Sequence, residues 1–303
     1  MKTKLPNFLI VGAAKSGTSS LHNYLNQHPE IFMPTYTEDG LKVKEPRFLI
    51  KEKVKKRLPK GIWDFDTYKS LFDKAVNEKA IGEATVLYLY FYEEAIKNIK
   101  KYLGEDVKII IMLRNPIDRA HSAYSFASRT HQENQTFKES LMTAQERFDK
   151  DDTLSPMILY KELGMYYRMV KAYMENFKDV HLIFYDDFVL QTNLEVRRVF
   201  DFLNISNTNE INTNKVLNSG GKKWDSRVMK DLLMGEGGMK KFLRIVLPKN
   251  LRVNIKKILI NSFTSKADEI NESTKKELLD YYQKDIQLLE KLINKDLSKW
   301  MEI

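Results

Sequence analysis

Blocks of apolar residues alternate with amphipathic segments along the chain, and this pattern predicts strands followed by helices. Two blocks are almost entirely apolar: Phe8–Val11, and Val107–Leu113 with Lys108 as its one charged residue. Such blocks are typical of parallel strands that are buried on both faces. Shorter apolar blocks predict three further strands, at Ile31–Phe32, Ala80–Glu83 and Val180–Tyr185. Because strands alternate with helical segments, we expect a parallel α/β sheet.

The segments between and after these strands have helical periodicity. Predicted helices cover about 18–27, 65–74, 93–103, a long stretch from Pro116, 160–176, and the chain from Leu194 onward, including an amphipathic stretch near 273–294. Residues 34–63 are rich in proline, glycine and lysine and are expected to form a loop. No repeat or linker divides the chain. The predicted fold is a single α/β domain over residues 1–303, with a central parallel sheet of the phosphate-loop type, flanking helices and a helical C-terminal part.

Composition excludes several classes of protein. The 303 residues include no cysteine, which excludes a disulfide scaffold, an iron–sulfur site and a cysteine-ligated zinc. An aromatic content of 11% is too apolar for a disordered chain. Lys2 and Lys4 before Phe8–Ala14 resemble the start of a secretory signal, but Lys15 stands where a signal needs small residues for cleavage. We therefore interpret this segment as a buried strand and expect a cytoplasmic protein.

Positive charge is concentrated in one segment, residues 222–257. It contains eleven Lys or Arg against three Asp or Glu, and so accounts for most of the net charge of +9. A solvated helical face explains such a run, and so does a patch that attracts an anionic substrate or an acidic membrane surface. No recognition motif accompanies the patch, so we expect no nucleic-acid binding.

A glycine-containing turn follows the first predicted strand. Gly12 and Gly17 are separated by four residues, directly after an apolar strand and before a helix, which is the layout of a phosphate-binding loop. In nucleotide triphosphatases a lysine follows the second glycine, but here Thr18 has that position and the lysine is inside the loop, as Lys15. A lysine there is suited to a single 5′-phosphate and the group attached to it.

At this point the sequence resembles a family. Phe8–Ser20 looks like the 5′-phosphosulfate loop of sulfotransferases that use 3′-phosphoadenosine 5′-phosphosulfate (PAPS), and Leu113–Tyr124 resembles the family's 3′-phosphate motif, an Arg-Asn-Pro turn with a serine eight residues after the arginine. Arg114 at a strand end and Ser122 two turns into the next helix can converge on one phosphate. The resemblance implies that PAPS is the donor and adenosine 3′,5′-bisphosphate the product. The residues implied for the 5′-phosphate are Lys15, Ser16, Gly17, Thr18, Ser19 and Ser20.

A third element supplies a candidate base. Lys44–Phe48 resembles the Glu-Pro-x-Phe element of the heparan-sulfate branch and its bacterial relatives, in which the glutamate takes the acceptor's proton. Glu45 has that role by resemblance, although a surface ion pair also explains it. The five histidines show no arrangement that singles one out as a base or a metal ligand.

Weaker similarities extend over nearly the whole chain. Ile81–Tyr88 resembles a Gly-Glu-x-Thr-Pro-x-Tyr segment, with Val86 where the family has proline, so that Glu83 is a candidate acceptor contact. A basic loop after Asn218 stands where the family closes over the cosubstrate, which makes Lys222, Lys223 and Arg227 candidate binders. The stretch Tyr88–Tyr92 fits both a pocket wall and core packing.

Together these features predict an enzyme that moves a sulfuryl group from PAPS to the hydroxyl of a sugar, a glycolipid or another small alcohol, phenol or sterol, without a metal. Lysine- and asparagine-rich composition suggests a bacterial cytosolic member. The main alternative is a phosphate-loop nucleotide kinase, in which Leu182–Asp186 would be an apolar strand ending in a magnesium ligand. A PAPS-fold protein that binds without catalysis is a third alternative.

Overall fold

A five-stranded parallel sheet forms the centre of the protein. The structure is a computed structural model that describes residues 4–35, 43–130, 133–207, 210–214 and 269–302, with the backbone of 222–224 and 264–266. The strands are β1 (Phe8–Gly12), β2 (Ile31–Phe32), β3 (Ala80–Ala84), β4 (Lys108–Leu113) and β5 (Val180–Phe184), in the spatial order β2-β3-β1-β4-β5. Every pair of neighbours is parallel. The predicted α/β class and parallel sheet are confirmed.

Helices cover both faces of the sheet. They are α1 (Thr18–Leu25), α2 (Lys51–Val54), α3 (Phe65–Ser70), α4 (Tyr92–Tyr102), α5 (Pro116–Arg129), α6 (Phe137–Lys150), α7 (Tyr166–Asn176), α8 (Tyr185–Leu190), α9 (Thr192–Leu203) and α10 (Glu272–Ile293). Short 3₁₀ turns occur at Phe48–Ile50, Val86–Tyr88, Pro156–Ile158, Glu162–Gly164 and Ser298–Met301. Among the helices in the described ranges, none is long and apolar enough to cross a bilayer.

Alternate residues of the central strands enter two separate cores. Leu9 and Val11 of β1 pack with α4, α5, α7 and α10 on one face, whereas Phe8 and Ile10 pack with α1 and α9 on the other. Burial on both faces explains why β1, and β4 from Ile109 to Leu113, are apolar at every position instead of at every second one.

Several predicted boundaries and one predicted element type are wrong. The first helix ends at Leu25 and the third at Ser70, each earlier than expected, and the helix predicted from residue 160 begins at Tyr166. The apolar block predicted as a strand to Tyr185 ends at Phe184, because Tyr185 begins α8. In the helical C-terminal part, residues 222–224 (β6) and 264–266 (β7) form an antiparallel pair instead of helix.

Two helical segments were not expected. The predicted loop over residues 34–63 contains a 3₁₀ turn and α2, which are held by the fully buried side chains of Phe48, Leu49 and Ile50. Residues 137–150 form a separate helix, α6, which begins with a capping box in which Thr136 and Glu139 exchange hydrogen bonds with each other's backbone amides.

The sheet order brings the two anion-binding motifs together. Since β1 pairs directly with β4, the turn after Gly12 and the Arg114 turn lie side by side at the carboxyl edge of the sheet. The chain leaves β1 toward β2 on one side and leaves β4 toward β5 on the other, so a crevice opens between these strand ends.

Candidate active site

The turn between β1 and α1 presents backbone amides to the crevice. Lys15 and Gly17 both have left-handed φ angles, 72° and 91°, which curl the chain into a tight loop. Gly17 is the N-cap of α1 and has no side chain that would satisfy the first amides of the helix, and no acidic residue lies in the first turn. The turn therefore leaves N–H donors and the positive end of a helix dipole facing the crevice.

Lys15 extends from this turn into a positively charged environment. Its ammonium lies 4.3 Å from the centre of the Phe126 ring on α5. Burial, together with the charges of Arg129 and Arg114, lowers the pKa of Lys15 to about 8. A lysine surrounded by cations in a partly dry site gains more from a bound anion than an exposed lysine would.

Arg114 lies against the same turn. Its Nη1 donates a hydrogen bond to the Lys15 carbonyl oxygen at 3.4 Å, and its guanidinium stacks on the Tyr185 ring at 4.5 Å. Arg114 Nε is buried and has no hydrogen-bond partner within the part of the chain that the structure describes. A buried donor without an acceptor favours an anionic ligand at this position.

The segment that carries Glu45 is anchored on its C-terminal side. Phe48 is buried and stacks on Tyr68 with the ring centres 4.7 Å apart, and the Pro46 carbonyl accepts a hydrogen bond from the Ile62 amide at 2.9 Å. Arg47 has a left-handed φ of 63°, which turns the chain sharply after Glu45. The Glu45 carboxylate lies 3.6 Å from both the Lys44 ammonium and the Arg47 guanidinium.

Lys44 connects this segment to the phosphate loop. Its ammonium donates to the hydroxyls of Ser19 at 3.0 Å and Thr18 at 3.4 Å, on the first turn of α1. Burial lowers the pKa of Lys44, and the neighbouring Glu45 carboxylate opposes that shift. The candidate base is thus attached through one lysine to the loop that would hold the donor.

One cavity of about 400 Å³ unites these groups. This volume is within the range of ordinary small-molecule sites. The predicted site residues that line it are Lys15, Gly17, Thr18, Ser19, Ser20, Glu45, Arg114 and Ser122. Ser16 does not line the cavity and is fully buried beneath the turn. The unpartnered donor on Arg114 and the cationic surroundings of Lys15 fit an anionic ligand.

The remaining candidates lie elsewhere. Glu83 is fully buried and does not line the cavity. No residue of Tyr88–Tyr92 lines this cavity either, which favours core packing over a pocket wall for that stretch. The backbone of Lys222 and Lys223 forms β6, which lies beside α5, the helix that carries Ser122. Arg227 is outside the described residues.

The residue proposed as a magnesium ligand in the kinase alternative is not at the site. Asp186 is exposed in the first turn of α8 and does not line the cavity. Glu45 is the one acidic residue among the cavity-lining side chains of the described ranges. Four residues that line the cavity were not predicted from the sequence: Lys44, Arg47, Phe126 and Tyr185. The only signals in the sequence were the basic residues on either side of the Glu45-Pro46 pair and aromatic residues close to the predicted motifs.

Comparison with known proteins assigns the chain to a family. The sulfotransferase domain profile matches residues 5–244. The chain belongs to the sulfotransferase domain family. A crystal structure of a sulfotransferase from Alicyclobacillus acidocaldarius is 29% identical and superposes with a TM-score of 0.73, covering 99% of this chain and 100% of that one.

Curated relatives of this sulfotransferase-family chain include carbohydrate enzymes. Mouse carbohydrate sulfotransferase 15 is 24% identical over 258 residues, covering 68% of this chain and 45% of the relative. Mouse heparan sulfate glucosamine 3-O-sulfotransferase 3B1 is 26% identical over 205 residues, covering 67% of this chain and 47% of the relative. The chain therefore spans about half the length of these relatives. The family resemblance inferred from the two phosphate motifs is confirmed.

Proposed function

We propose that this protein transfers a sulfuryl group from PAPS to a hydroxyl group of a carbohydrate acceptor. The observation that carries the proposal is the shared cavity, in which Lys15 and Arg114, just after two adjacent strands, meet Glu45. Two cationic positions suit the two phosphates of the donor, and one carboxylate suits the acceptor hydroxyl. The carbohydrate class rests on the relatives, since the chain aligns with enzymes named for carbohydrate and heparan sulfate acceptors.

Each side chain has a role that follows from its position. Lys15 and residues 17–20 hold the 5′-phosphate end of the donor, and Arg114 and Ser122 hold its 3′-phosphate. PAPS supplies the sulfuryl group. Glu45 accepts the proton of the attacking hydroxyl. Lys15 donates a hydrogen bond to the phosphate oxygen on which negative charge develops as the sulfur–oxygen bond breaks. By family resemblance, Lys222, Lys223 and Arg227 close over the bound donor.

Binding of adenosine 3′,5′-bisphosphate and of AMP, measured by isothermal titration calorimetry, tests the phosphate assignments. The bisphosphate should bind more tightly. Arg114→Ala should weaken bisphosphate binding by about 10- to 100-fold, as expected for a lost charge-assisted hydrogen bond, and should leave AMP binding within twofold. Equal loss for both ligands would place Arg114 outside the 3′-phosphate site.

Transfer of labelled sulfate from PAPS tests the reaction. The acceptor series starts with de-O-sulfated heparan and chondroitin oligosaccharides and continues with glycolipids, sterols and phenols. Lys15→Ala and Glu45→Gln should each reduce the rate about 100-fold or more. Lys97→Met, on the exposed side of α4, is the matched control for loss of a lysine. Activity that persists in EDTA distinguishes the reaction from that of a magnesium-dependent kinase.

Two further expectations belong to the proposal. The basic segment 222–257 is proposed to meet an anionic acceptor or an acidic membrane surface, and the enzyme is proposed to act in the cytoplasm. Sedimentation with vesicles that contain 30% phosphatidylserine, compared with neutral vesicles, tests the membrane contact.

A further inference from the structure

A buried carboxylate behind the cavity, Glu83 on β3, is the centre of a hydrogen-bond network that the proposed reaction does not use. It is fully buried and accepts hydrogen bonds from three hydroxyls: Tyr88 at 2.7 Å, Thr85 at 2.7 Å and Tyr68 at 3.1 Å. A buried carboxylate is stable only when hydrogen-bond donors surround it, and these three hydroxyls supply the donors for Glu83.

Two of these three hydroxyls also contact the segment that carries Glu45. The Thr85 hydroxyl accepts a hydrogen bond from the Arg47 amide at 3.3 Å. The Tyr88 hydroxyl accepts one from the Leu49 amide at 3.3 Å. Both amides lie within four residues of Glu45. Tyr68 has no such contact with an amide of this segment among the described residues, so the three hydroxyls are not equivalent.

The direction of these hydrogen bonds follows from counting protons. A hydroxyl has one hydrogen, and an ionised carboxylate only accepts. Because Thr85 and Tyr88 give their hydrogens to Glu83, their lone pairs are left to accept from the Arg47 and Leu49 amides. The carboxylate therefore determines in which direction the two hydroxyls donate their hydrogens. The hydroxyls in turn hold the backbone just after Glu45.

The backbone at this point needs an anchor. Arg47 has a φ of 63°, in the left-handed region that residues with a Cβ rarely occupy. A strained conformation of this kind persists only where the surrounding structure determines it. The Thr85 hydroxyl is bonded to the amide of that same residue.

We propose that Glu83 is a positioning residue, which orients the hydroxyls of Thr85 and Tyr88 so that they fix the Glu45 segment against the phosphate loop. This inference rests on the proposed role of Glu45 as the base. It assigns Glu83 no contact with substrate, in place of the acceptor contact expected from sequence.

Amide hydrogen exchange provides a test that does not depend on an acceptor. At pH 8 the Glu83 carboxyl is mostly ionised, since burial raises its pKa to about 7. Thr85→Val should accelerate exchange of the Arg47 amide roughly fivefold, the effect of one lost net hydrogen bond. Thr85→Ser, which keeps the hydroxyl, should restore protection. Tyr68→Phe is the matched control. It removes a hydroxyl that donates to the same carboxylate but that accepts no hydrogen bond from an amide of the Glu45 segment.

Kinetics with labelled PAPS and a de-O-sulfated heparan oligosaccharide, or whichever acceptor class the screen identifies, provide the second readout. Thr85→Val should lower kcat about tenfold or more, the scale expected when a reacting group is misplaced. The KM for PAPS and the affinity for adenosine 3′,5′-bisphosphate should stay within twofold. Thr85→Ser should recover kcat, and Tyr68→Phe should retain it.

The two proposals fail in different ways. If Thr85→Val and Tyr68→Phe change Arg47 exchange equally, the positioning role of Glu83 is wrong, whatever the activity. If Thr85→Val accelerates exchange but Glu45→Gln keeps full transfer activity, the network holds the segment but Glu45 is not the base. Tyr88→Phe, read at the Leu49 amide, repeats the test at the second hydroxyl and decides the question if Thr85→Val does not fold.

Discussion

Binding of adenosine 3′,5′-bisphosphate, the nucleotide product of the proposed reaction, should be accompanied by uptake of a proton at Lys15. The pKa of this lysine is lowered to about 8 by burial and by the charges of Arg129 and Arg114. At pH 8 about half of the free protein should therefore carry a neutral Lys15. A phosphate dianion beside the amine favours the charged form and returns the pKa toward its ordinary value of 10.5.

The expected stoichiometry follows directly from these two pKa values. Binding of adenosine 3′,5′-bisphosphate should take up about 0.1 proton at pH 7, about 0.5 at pH 8 and about 0.9 at pH 9. Affinity should fall about fivefold between pH 8 and pH 9, because the fraction of charged Lys15 falls by that factor.

Isothermal titration calorimetry in buffers with different ionisation enthalpies, such as Tris and HEPES, measures the uptake. The ligand's phosphates are already fully ionised at pH 8, so they contribute little. Lys15→Met should reduce the uptake, and Lys97→Met should leave it unchanged. An uptake below about 0.1 proton in the wild type at pH 8 would refute the reasoning, since Lys15 would then be charged before the ligand arrives or would not contact it.

Three further predictions concern stability. Lys15→Met should raise the free energy of unfolding at pH 7 by up to about 3 kcal/mol, because the unfolded chain binds the Lys15 proton more tightly than the folded chain does. In urea titrations, wild-type stability should rise between about pH 8 and 10.5, and the variant should lack this rise. For Glu83 the folded pKa is raised to about 7, so its contribution to stability is present below the unfolded pKa near 4.5 and is lost as the pH rises through 7. Relative to Glu83→Gln, the wild type should lose about 2.5 kcal/mol between pH 5 and pH 8 in urea titrations, and parallel curves would contradict the assignment. Gly12→Ala would bring a Cβ within 2.5 Å of Leu89 Cβ and 3.0 Å of the Val86 carbonyl oxygen, and should cost about 1–3 kcal/mol, seen as a lower Tm; an unchanged Tm would mean that these neighbours move aside freely.

The sequence was most informative where local pattern and final environment coincide. Phe8–Val11 and Ile109–Leu113 are apolar throughout because both of their faces are covered. Pro116 stands in the first turn of α5, where its missing N–H costs nothing. Adjacency of Lys15 and Arg114 could be inferred as well, since parallel-sheet sites lie where neighbouring strands end.

Other features depend on partners distant in sequence. The helical turns at Phe48–Val54 lie in a segment whose prolines, glycines and lysines predict a loop, and they form because a tertiary core accepts their apolar side chains. Lys44 bonds to hydroxyls about 25 residues earlier, and no periodicity relates those positions. The break before α6 did have a local signal, since Thr136 and Glu139 are spaced as a capping box.

The hydrogen bond between Lys44 and Ser19 implies that two parts of the cavity wall differ in how well they tolerate substitution. The turn between β1 and α1 and the segment that carries Glu45 are joined through Lys44, so a substitution in either should affect both. Val86, Met157 and Val189 line the same cavity through apolar side chains that bear none of these ties. If the proposed transfer is correct, substitutions at these three wall positions should alter acceptor selectivity while the residues proposed for transfer keep their contacts.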